Sequence, residues 1–429
     1  MRQIDNPRLL AFEVLAEVEL KNEYSNLLLP KYLAVSQMSK SDKAMATELV
    51  YGTLRMKGLY DQFIQRTSDR DLEAVDAKAL IVLRMGIHQL KQMRTPVHAA
   101  IYESVELAKK VLGKSTASFV NAVLRRVSEI DDIDWQGDEI SRLAGEYSHP
   151  EWIVSSYLDS LKDVKQVVNL LDANNLPTKP TLIAWPGKSS KDELLDCGAA
   201  DLVGSLNAVT FDGNPGDLPA VRERRAGVQD YGSQIVVEEF FKSFDENLRW
   251  LDLCAGPGGK AAYLSALLSQ YGGEFVANEV SEPRAKLVKQ VVKYGTVTNF
   301  DGRELPESIG KFDRILIDAP CTGIGALRRR PEVRWRRTVQ DLKQLVEVQS
   351  ALLEAAAGKL NPKGVLAYAT CSPHQAETIF QVRGFLRRHP DYEILPIKHP
   401  KADKEGLLQL WTHIDNCDAM FLALLKKKG

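Results

Sequence analysis

The stretch RWLDLCAGPGGKAAYLSALLSQYGGEFVANEV, residues 249–280, decides the fold. Arg249–Cys254 is short and apolar, which fits a strand covered on both faces. Ala255-Gly256-Pro257-Gly258-Gly259 then supplies turn dihedrals that side chains forbid and lets the main chain approach a ligand closely. Lys260–Ser269 continues as a helix whose first amides carry a partial positive field. Glu274–Asn278 reads as a second strand. Glu279 follows at its end, where an acid accepts both ribose hydroxyl hydrogens of a nucleoside. Strand, glycine turn, helix and acid in this order predict a doubly wound, Rossmann-like α/β sheet with its ligand at the carboxyl ends of the strands.

Outward from this stretch the alternation persists. Glu282–Tyr294 and Asp341–Lys359 read as helices, and Thr296–Phe300, Phe312–Ile317, Gly364–Ala369 and Met420–Lys426 as strands of a parallel sheet. Upstream, Leu176–Val228 suggests a small α+β piece with strands near Thr181–Trp185 and Ala208–Phe211. The first 130 or so residues are helical. Asn6-Pro7 starts one helix, with Leu10, Val14, Leu15 and Val18 at helical spacing. Ser41-Asp42 opens a stretch carrying Leu49, Val50, Leu54, Tyr60 and Phe63, and Ala79–Leu90, Pro96–Leu112 and Ser118–Val127 follow as further helices. Asp131, Asp132, Asp134, Asp138 and Glu139 mark a solvated linker. The expected domains are an all-α bundle over 1–135, a connecting subdomain over 145–235 and a catalytic domain over 236–429.

Composition narrows the class. The 429 residues hold 56 Lys+Arg against 57 Asp+Glu, with 44% hydrophobic and 26% charged residues, an ordinary globular balance. No apolar run exceeds Ala419–Leu425, too short to span a bilayer, and MRQIDNPRLL lacks the build of a secretory leader. Cysteines at 197, 254, 321, 371 and 417 show no paired spacing. A reducing cytoplasm and no metal site are expected, and a monomer.

The glycine turn admits two ligands. A dinucleotide fingerprint needs a third glycine where Lys260 does not provide one, so S-adenosylmethionine fits better. Cys254 beneath the turn reads as core packing. Two further cysteines close strands on the same edge: Asp318-Ala319-Pro320-Cys321 after Phe312–Ile317, and Thr370-Cys371-Ser372-Pro373 after Gly364–Ala369. Either alone would read as a small buried hydrophobe. Together, beside Asp318 and within reach of Lys260, they suggest covalent catalysis. Carbon 5 of cytosine is a poor nucleophile. A thiolate adding to carbon 6 makes the ring an enamine that attacks a sulfonium methyl, after which the carbon 5 proton and the thiolate must leave. Lys260 would favour a thiolate, and Asp318 would hydrogen-bond ring nitrogen 3 and the exocyclic amine. The Asn/Asp-Pro-Pro-aromatic loop of amino-group methylases is absent from this position.

Residues 228–429 resemble the RNA 5-methylcytosine methyltransferase family, often called Sun/Fmu or NOL1/NOP2/sun. The resemblance is carried by Val228-Gln229-Asp230-Tyr231-Gly232-Ser233-Gln234, LDLCAGPGGK, DAPCTG and YATCSP. The N-terminal helices resemble a NusB-like RNA-binding domain through VYGTLR (Val50–Arg55) and FVNAVLRR (Phe119–Arg126). The resemblance implies Cys371 as nucleophile and Cys321 as the residue assisting proton loss and release, with Lys260 near the reacting centre. It implies cofactor contacts from Cys254, Ala255, Gly256, Pro257, Gly258, Gly259, Lys260, Glu279, Arg284, Asp301 and Asp318. It also implies an RNA substrate, with 16S ribosomal RNA favoured over transfer RNA by the NusB-like region. Two departures stand out. Pro373-His374-Gln375-Ala376-Glu377 replaces a Pro-Glu-Glu-Asn-Glu run, leaving Glu377 as the matching acid, and Leu182-Ile183-Ala184-Trp185 replaces an Arg-x-Asn strand that bears on RNA contacts.

Arg328, Arg329, Arg330, Arg334, Arg336 and Arg337 crowd around Trp335, opposed only by Glu332. Such a cluster attracts phosphates and stacks unpaired bases, so it is expected to bind RNA. Arg222, Arg224 and Arg225 form a lesser group, and Lys109-Lys110 and Arg125-Arg126 would extend the track. His98 and His149 read as capping or packing residues. The rival of another class is a non-catalytic RNA-binding or antitermination factor; intact Cys321, Cys371, Asp318 and the glycine turn speak against it.

Overall fold

Helices form at the N-terminus where apolar spacing and end-capping agree. The computed structural model describes residues 3–242 and 248–429; the first two residues of the N-terminal stretch read above lie outside that range. The chain divides into two units: residues up to Leu176 with Leu327–Arg336, and Pro177–Ala326 with Arg337–Gly429.

In the first unit, the Asn6 side chain accepts from Leu9 N at 2.9 Å and Pro7 opens the helix Pro7–Leu20. The stretch expected to run from Ser41 is two helices, Lys40–Arg55 and Lys57–Thr67, meeting at Met56, and Ser39 is the cap. Ser25–Val35, which holds Pro30 and lacks a capping side chain, escaped the sequence reading. Ala77–Lys91, Val97–Leu112 and Lys114–Ser128 complete a bundle around Leu10, Leu15, Leu49, Tyr60, Val82 and Val120. Each such side chain contributes about 1.5–3 kcal/mol by leaving water. Arg84 enters this core paired with Asp61 at 2.6 Å and Glu19 at 2.9 Å.

The five acids of the expected linker are exposed and no helix or strand covers residues 130–138, yet apolar residues between them are packed. Ile133 is buried, and the Trp135 ring occupies the space beside Gly145, where a Cβ would meet it at 2.2 Å. Asp138 caps the helix Glu139–Glu146, and the helices Glu151–Leu161 and Val164–Asn175 follow in the same unit. Compactness divides the chain between Leu176 and Pro177, so these helices pack in the same unit as the N-terminal bundle. The apolar faces of these helices bury Leu143, Ile153, Val154, Val167 and Leu171, which the acidic residues around them concealed in the sequence.

The second unit carries two sheets. The smaller has strands β1 (Thr181–Ala184), β2 (Ala200–Asp201), β3 (Ala208–Thr210) and β4 (Ala226–Val228) in the order β2-β3-β1-β4, all antiparallel. The larger has β5 (Arg249–Asp252), β6 (Glu274–Asn278), β7 (Thr296–Thr298), β8 (Phe312–Asp318), β9 (Leu360–Thr370), β10 (Tyr392–Ile394), β11 (Leu408–Gln409) and β12 (Phe421–Lys427). Its order is β10-β12-β9-β8-β5-β6-β7, with β11 paired to β12. From β9 to β7 all pairs are parallel. The expectation of a wholly parallel sheet fails at β12, which inserts antiparallel between β9 and β10. The connection from β10 to β12 holds β11, itself antiparallel to β12, and the four-residue helix Thr412–Asp415, with no long crossover helix to return the chain parallel. β7 stops short of Phe300 because the Phe300 amide donates to Asn278 Oδ1 at 2.9 Å instead of to the ladder. The helices Gly259–Tyr271 and Val339–Lys359 flank the sheet, the latter started by a reciprocal Thr338–Asp341 capping box.

Candidate active site

The glycine loop leaves β5 and folds onto Glu279. Gly256 N donates to Glu279 Oε2 at 2.9 Å, and Ser281 N donates to Oε1 at 2.8 Å. A Cβ on Gly256 would lie 2.2 Å from Glu279 Oε2, so only glycine permits this approach. Gly258 has φ of 118°, in the left-handed region, and begins the helix that carries Lys260. Asn278, at the end of β6, ties three strand ends together. Its Nδ2 donates to Leu253 O and Phe300 O, and its Oδ1 accepts from Thr298 Oγ1. Arg284 is exposed close to Gly256. Asp301 is clasped by Arg303, whose hydrogen bonds hold the carboxyl below its usual range. Cys254 is half-buried; burial and the surrounding carboxylates push its thiol well up.

The loop fits a nucleoside-bearing cation such as S-adenosylmethionine. Asp252, at the foot of the loop, is fully buried and its Oδ2 has no hydrogen-bond partner among the described residues. Burial, then Asp318, push its carboxyl up to about 8, and Lys260 only partly opposes them. A carboxyl buried beneath a glycine cradle favours a positively charged ligand there through its field rather than by contact.

Lys260 reaches across the same edge. Its Nζ lies 2.9 Å from Asp318 Oδ2 and 3.2 Å from Ser233 Oγ, and the residue is 8% exposed. Burial disfavours the ammonium, but Asp318, Cys371 and Asp252 outweigh it and raise its pKa. The two expected cysteines converge: Cys321 Sγ lies 3.4 Å from Cys371 Sγ. The hydrogen bond that the Cys321 thiol donates to Cys371, burial, and the charges of Cys371, Glu377 and Asp318 keep the Cys321 thiol well above its ordinary pKa. Main-chain bonds fix both loops. Ala319 N donates to Ala369 O and Gly325 N to Cys371 O, and a Cβ on Gly325 would lie 2.2 Å from Ala419 O.

The arginine cluster makes contacts of its own. Residues 327–336 belong to the first unit, where they terminate helices. Arg334 is 0% exposed; it donates to Ser148 O at 3.0 Å, Asn175 Oδ1 at 2.8 Å and Asn174 O at 3.2 Å. Burial lowers its guanidinium pKa to about 9. Trp335 Nε1 donates to Leu54 O at 3.1 Å, and Arg336 donates to Val18 O and Asn22 O while lying over the Tyr24 ring. Leu54, Val18 and Asn174 are at helix C-termini, whose carbonyls lack partners within the helix and carry the negative end of its dipole. Glu332 does the converse, accepting from Ser25 N and Ser25 Oγ at the start of Ser25–Val35. Arg334 and Arg336 are thereby engaged by the protein itself, and Arg328 is buried; Arg329, Arg330, Trp335 and Arg337 are half-buried. The RNA-contact expectation for Arg334 is therefore corrected: no phosphate reaches a wholly buried guanidinium.

Elsewhere, Arg225 pairs with Glu193 and Glu223, Arg224 bonds Gln290, and Arg126 faces Asp69. Lys109 pairs with Glu106. His98 is exposed, whereas His149 is buried against Tyr147 O and Asn174, as a packing residue. The sequence reading gave no role to Asp252, Ser233, Asn278, Gly325 or Gln349. Asp252 and Asn278 carried a signal, since each is a polar residue ending an apolar strand; Gln349, one polar residue on a mixed helix, carried none.

Residues 241–426 match the family described as 16S rRNA methyltransferase RsmB/F, and residues 5–129 match the NusB family. A putative methyltransferase of Mycobacterium tuberculosis is 40% identical, over 99% of this chain and 97% of its own length. The probable ribosomal RNA small subunit methyltransferase B of Bacillus subtilis is 31% identical over 98% of both chains. A crystal structure described as PH0851 superposes with TM-score 0.84 at 21% identity, covering 98% of this chain and 99% of that one. With the glycine cradle, the Lys260–Asp318 pair and the facing cysteines in hand, these matches make the chain a member of the RsmB family of S-adenosylmethionine-dependent RNA methyltransferases.

Proposed function

We propose that this chain methylates carbon 5 of a cytosine in 16S ribosomal RNA, with Cys371 as nucleophile and Cys321 assisting release. The observation that carries the reading is the 3.4 Å approach of the two sulfurs beside the Lys260–Asp318 pair. The small-subunit ribosomal RNA methyltransferase names of full-length relatives support the substrate class. The glycine loop, Glu279, Arg284 and Asp301 would hold S-adenosylmethionine, which would supply an electrophilic methyl group.

Cys371 adds to carbon 6, and the electron pair displaced from the ring double bond makes carbon 5 nucleophilic. The Lys260 ammonium attracts the negative charge of the Cys371 sulfur, an interaction that also raises Lys260. Asp318, oriented by Lys260, accepts from the exocyclic amine and steadies the ring. After methyl transfer the carbon 5 proton passes to the Cys321 sulfur, which has first released its own proton to solvent; the raised pKa of that sulfur makes it a strong base, and the electron pair left on carbon 5 rebuilds the ring double bond and expels the Cys371 sulfur. Division of labour thus follows environment: the thiol of raised pKa takes the proton, and the thiol facing the ammonium attacks.

Two variants test this. Cys371→Ala is expected to lower labelled-methyl incorporation into 16S RNA by at least about 10⁴-fold while S-adenosylmethionine still binds. Cys321→Ala is expected to accumulate a protein–RNA species that survives denaturation, because expulsion is impaired. Retained turnover in the first, or a gel of the second with no shifted band, moves the chemistry to other groups.

A further inference from the structure

Behind the two cysteines lies a wholly buried acid that the mechanism above does not use. Glu377, 0% exposed in the turn after Cys371, receives hydrogen bonds on both carboxylate oxygens. Oε1 accepts from Thr322 N at 2.8 Å and Gln349 Nε2 at 3.0 Å, and Oε2 accepts from Thr322 Oγ1. Gln349 Nε2 also donates to Pro320 O at 2.9 Å. Tyr368 closes the array, donating to Glu377 O at 2.7 Å, with Gln349 Oε1 3.1 Å from its hydroxyl. Thr322 Oγ1 lies 3.2 Å from Ser372 Oγ. Both neighbours of Cys321 are thus tied to one carboxylate and one amide, and Thr322 reaches on to the residue after Cys371.

We propose that Glu377 is a positioning residue that locks the Pro320–Thr322 loop to the Ser372–Glu377 turn and so holds Cys321 against Cys371. This inference rests on the cysteine roles proposed above. A carboxylate suits the task because all three donors converge on it, and a neutral side chain of the same shape offers only one good acceptor. Its charge has a second effect. Cys321 is faced by Cys371, Asp318 and Glu377, with Lys260 beyond Asp318, and the negative groups all favour the protonated thiol.

The test uses the full-length protein and phenylarsine oxide, a trivalent arsenical that closes on two thiols only when they lie side by side. Glu377→Ala is expected to slow capture of the Cys321–Cys371 pair at least about tenfold and to lower kcat about 100-fold, with S-adenosylmethionine affinity unchanged. Thr322→Val, a milder lesion that decides the matter where Glu377→Ala does not fold, is expected to slow capture about threefold. Glu377→Gln keeps an acceptor for Thr322 N and Gln349. It is expected to retain capture within about threefold and to shift the pH midpoint of Cys321 alkylation downward, as removal of a facing negative charge requires. A lesion that merely loosens the fold lowers Tm without moving that midpoint. Parental capture rates in both Glu377→Ala and Thr322→Val overturn the proposal whatever the turnover. Capture needs no catalysis, so retained turnover in Cys371→Ala would sink the cysteine assignment separately.

Discussion

Cys321 and Arg328 are seven residues apart, yet the segments that hold them use polar groups in opposite ways. On the strand edge, main-chain amides and carbonyls satisfy one another: Ala319 with Ala369, Gly325 with Cys371. The side chains of Cys321, Cys371, Lys260 and Asp318 are left to face each other. In Leu327–Arg336 the side chains themselves satisfy main chain, because helix ends present carbonyls that nothing else reaches. A dense charge run in sequence is therefore ambiguous until the hydrogen-bond needs of its neighbours are known. Arginine, with five donors in a fixed fork, suits a helix C-terminus as well as a phosphate.

The sharpest way to break this contrast is Arg334→Ala. Three acceptors in the first unit lose their donor, and the variant is expected to lose about 3 kcal/mol of stability. For a unit of this size that is a fall in Tm of roughly 6–12 °C, read by calorimetry. The salt dependence of RNA binding by the folded fraction should not change. An unaltered Tm with a shallower salt slope would return Arg334 to the phosphate-binding role.

Asp252 offers a pH-dependent counterpart: it too is wholly buried, with one oxygen, Oδ2, lacking a partner among the described residues. Its carboxyl is raised from 3.8 to about 8 in the folded chain. The folded state then binds this proton more tightly than the unfolded chain does. The stabilisation is complete below about pH 4 and is lost as pH rises through about 8. In the ligand-free protein Tm should decline across that window, and Asp252→Asn, which cannot ionise, should flatten the decline. Equal slopes in the two proteins would mean that Asp252 is solvated or paired, and the likeness to Arg334 would end.

Much of this was legible in the sequence where a residue's role depends on its own neighbours in the chain. Gly258 announces a turn because its φ of 118° suits glycine, and β5, β6, β8 and β9 follow from apolar runs bounded by turns. Cys321 and Cys371 could be placed on one edge because both follow strands of one sheet. What stayed hidden depends on distant partners. The Ser25–Val35 helix is capped by Glu332, some three hundred residues away, so no local signal marks its start. Glu377 was visible only as the survivor of a family pattern; its function rests on Thr322 and Gln349. The antiparallel course of β12 depends on where a strand inserts, which periodicity does not encode.

Arg337 offers the finest discrimination, since it lies one residue past the helix-terminating segment and belongs to the second unit. It is half-buried, and its charge acts on Asp341, the capping acid of the helix Val339–Lys359. If proximity to Cys321 in sequence made the whole cluster an RNA track, Arg334 and Arg337 would respond alike. On the present contrast they respond oppositely. Arg337→Ala should leave Tm within about 1 °C, as a substitution away from buried networks does. It should reduce the slope of log affinity against log salt by about one, the signature of a single lost phosphate contact. Binding isotherms of 16S RNA at several salt concentrations read the slope directly. A slope unchanged from the parent would leave no member of the cluster beyond Arg329 and Arg330 as a candidate for phosphate, and RNA would then have to be held by other parts of the surface.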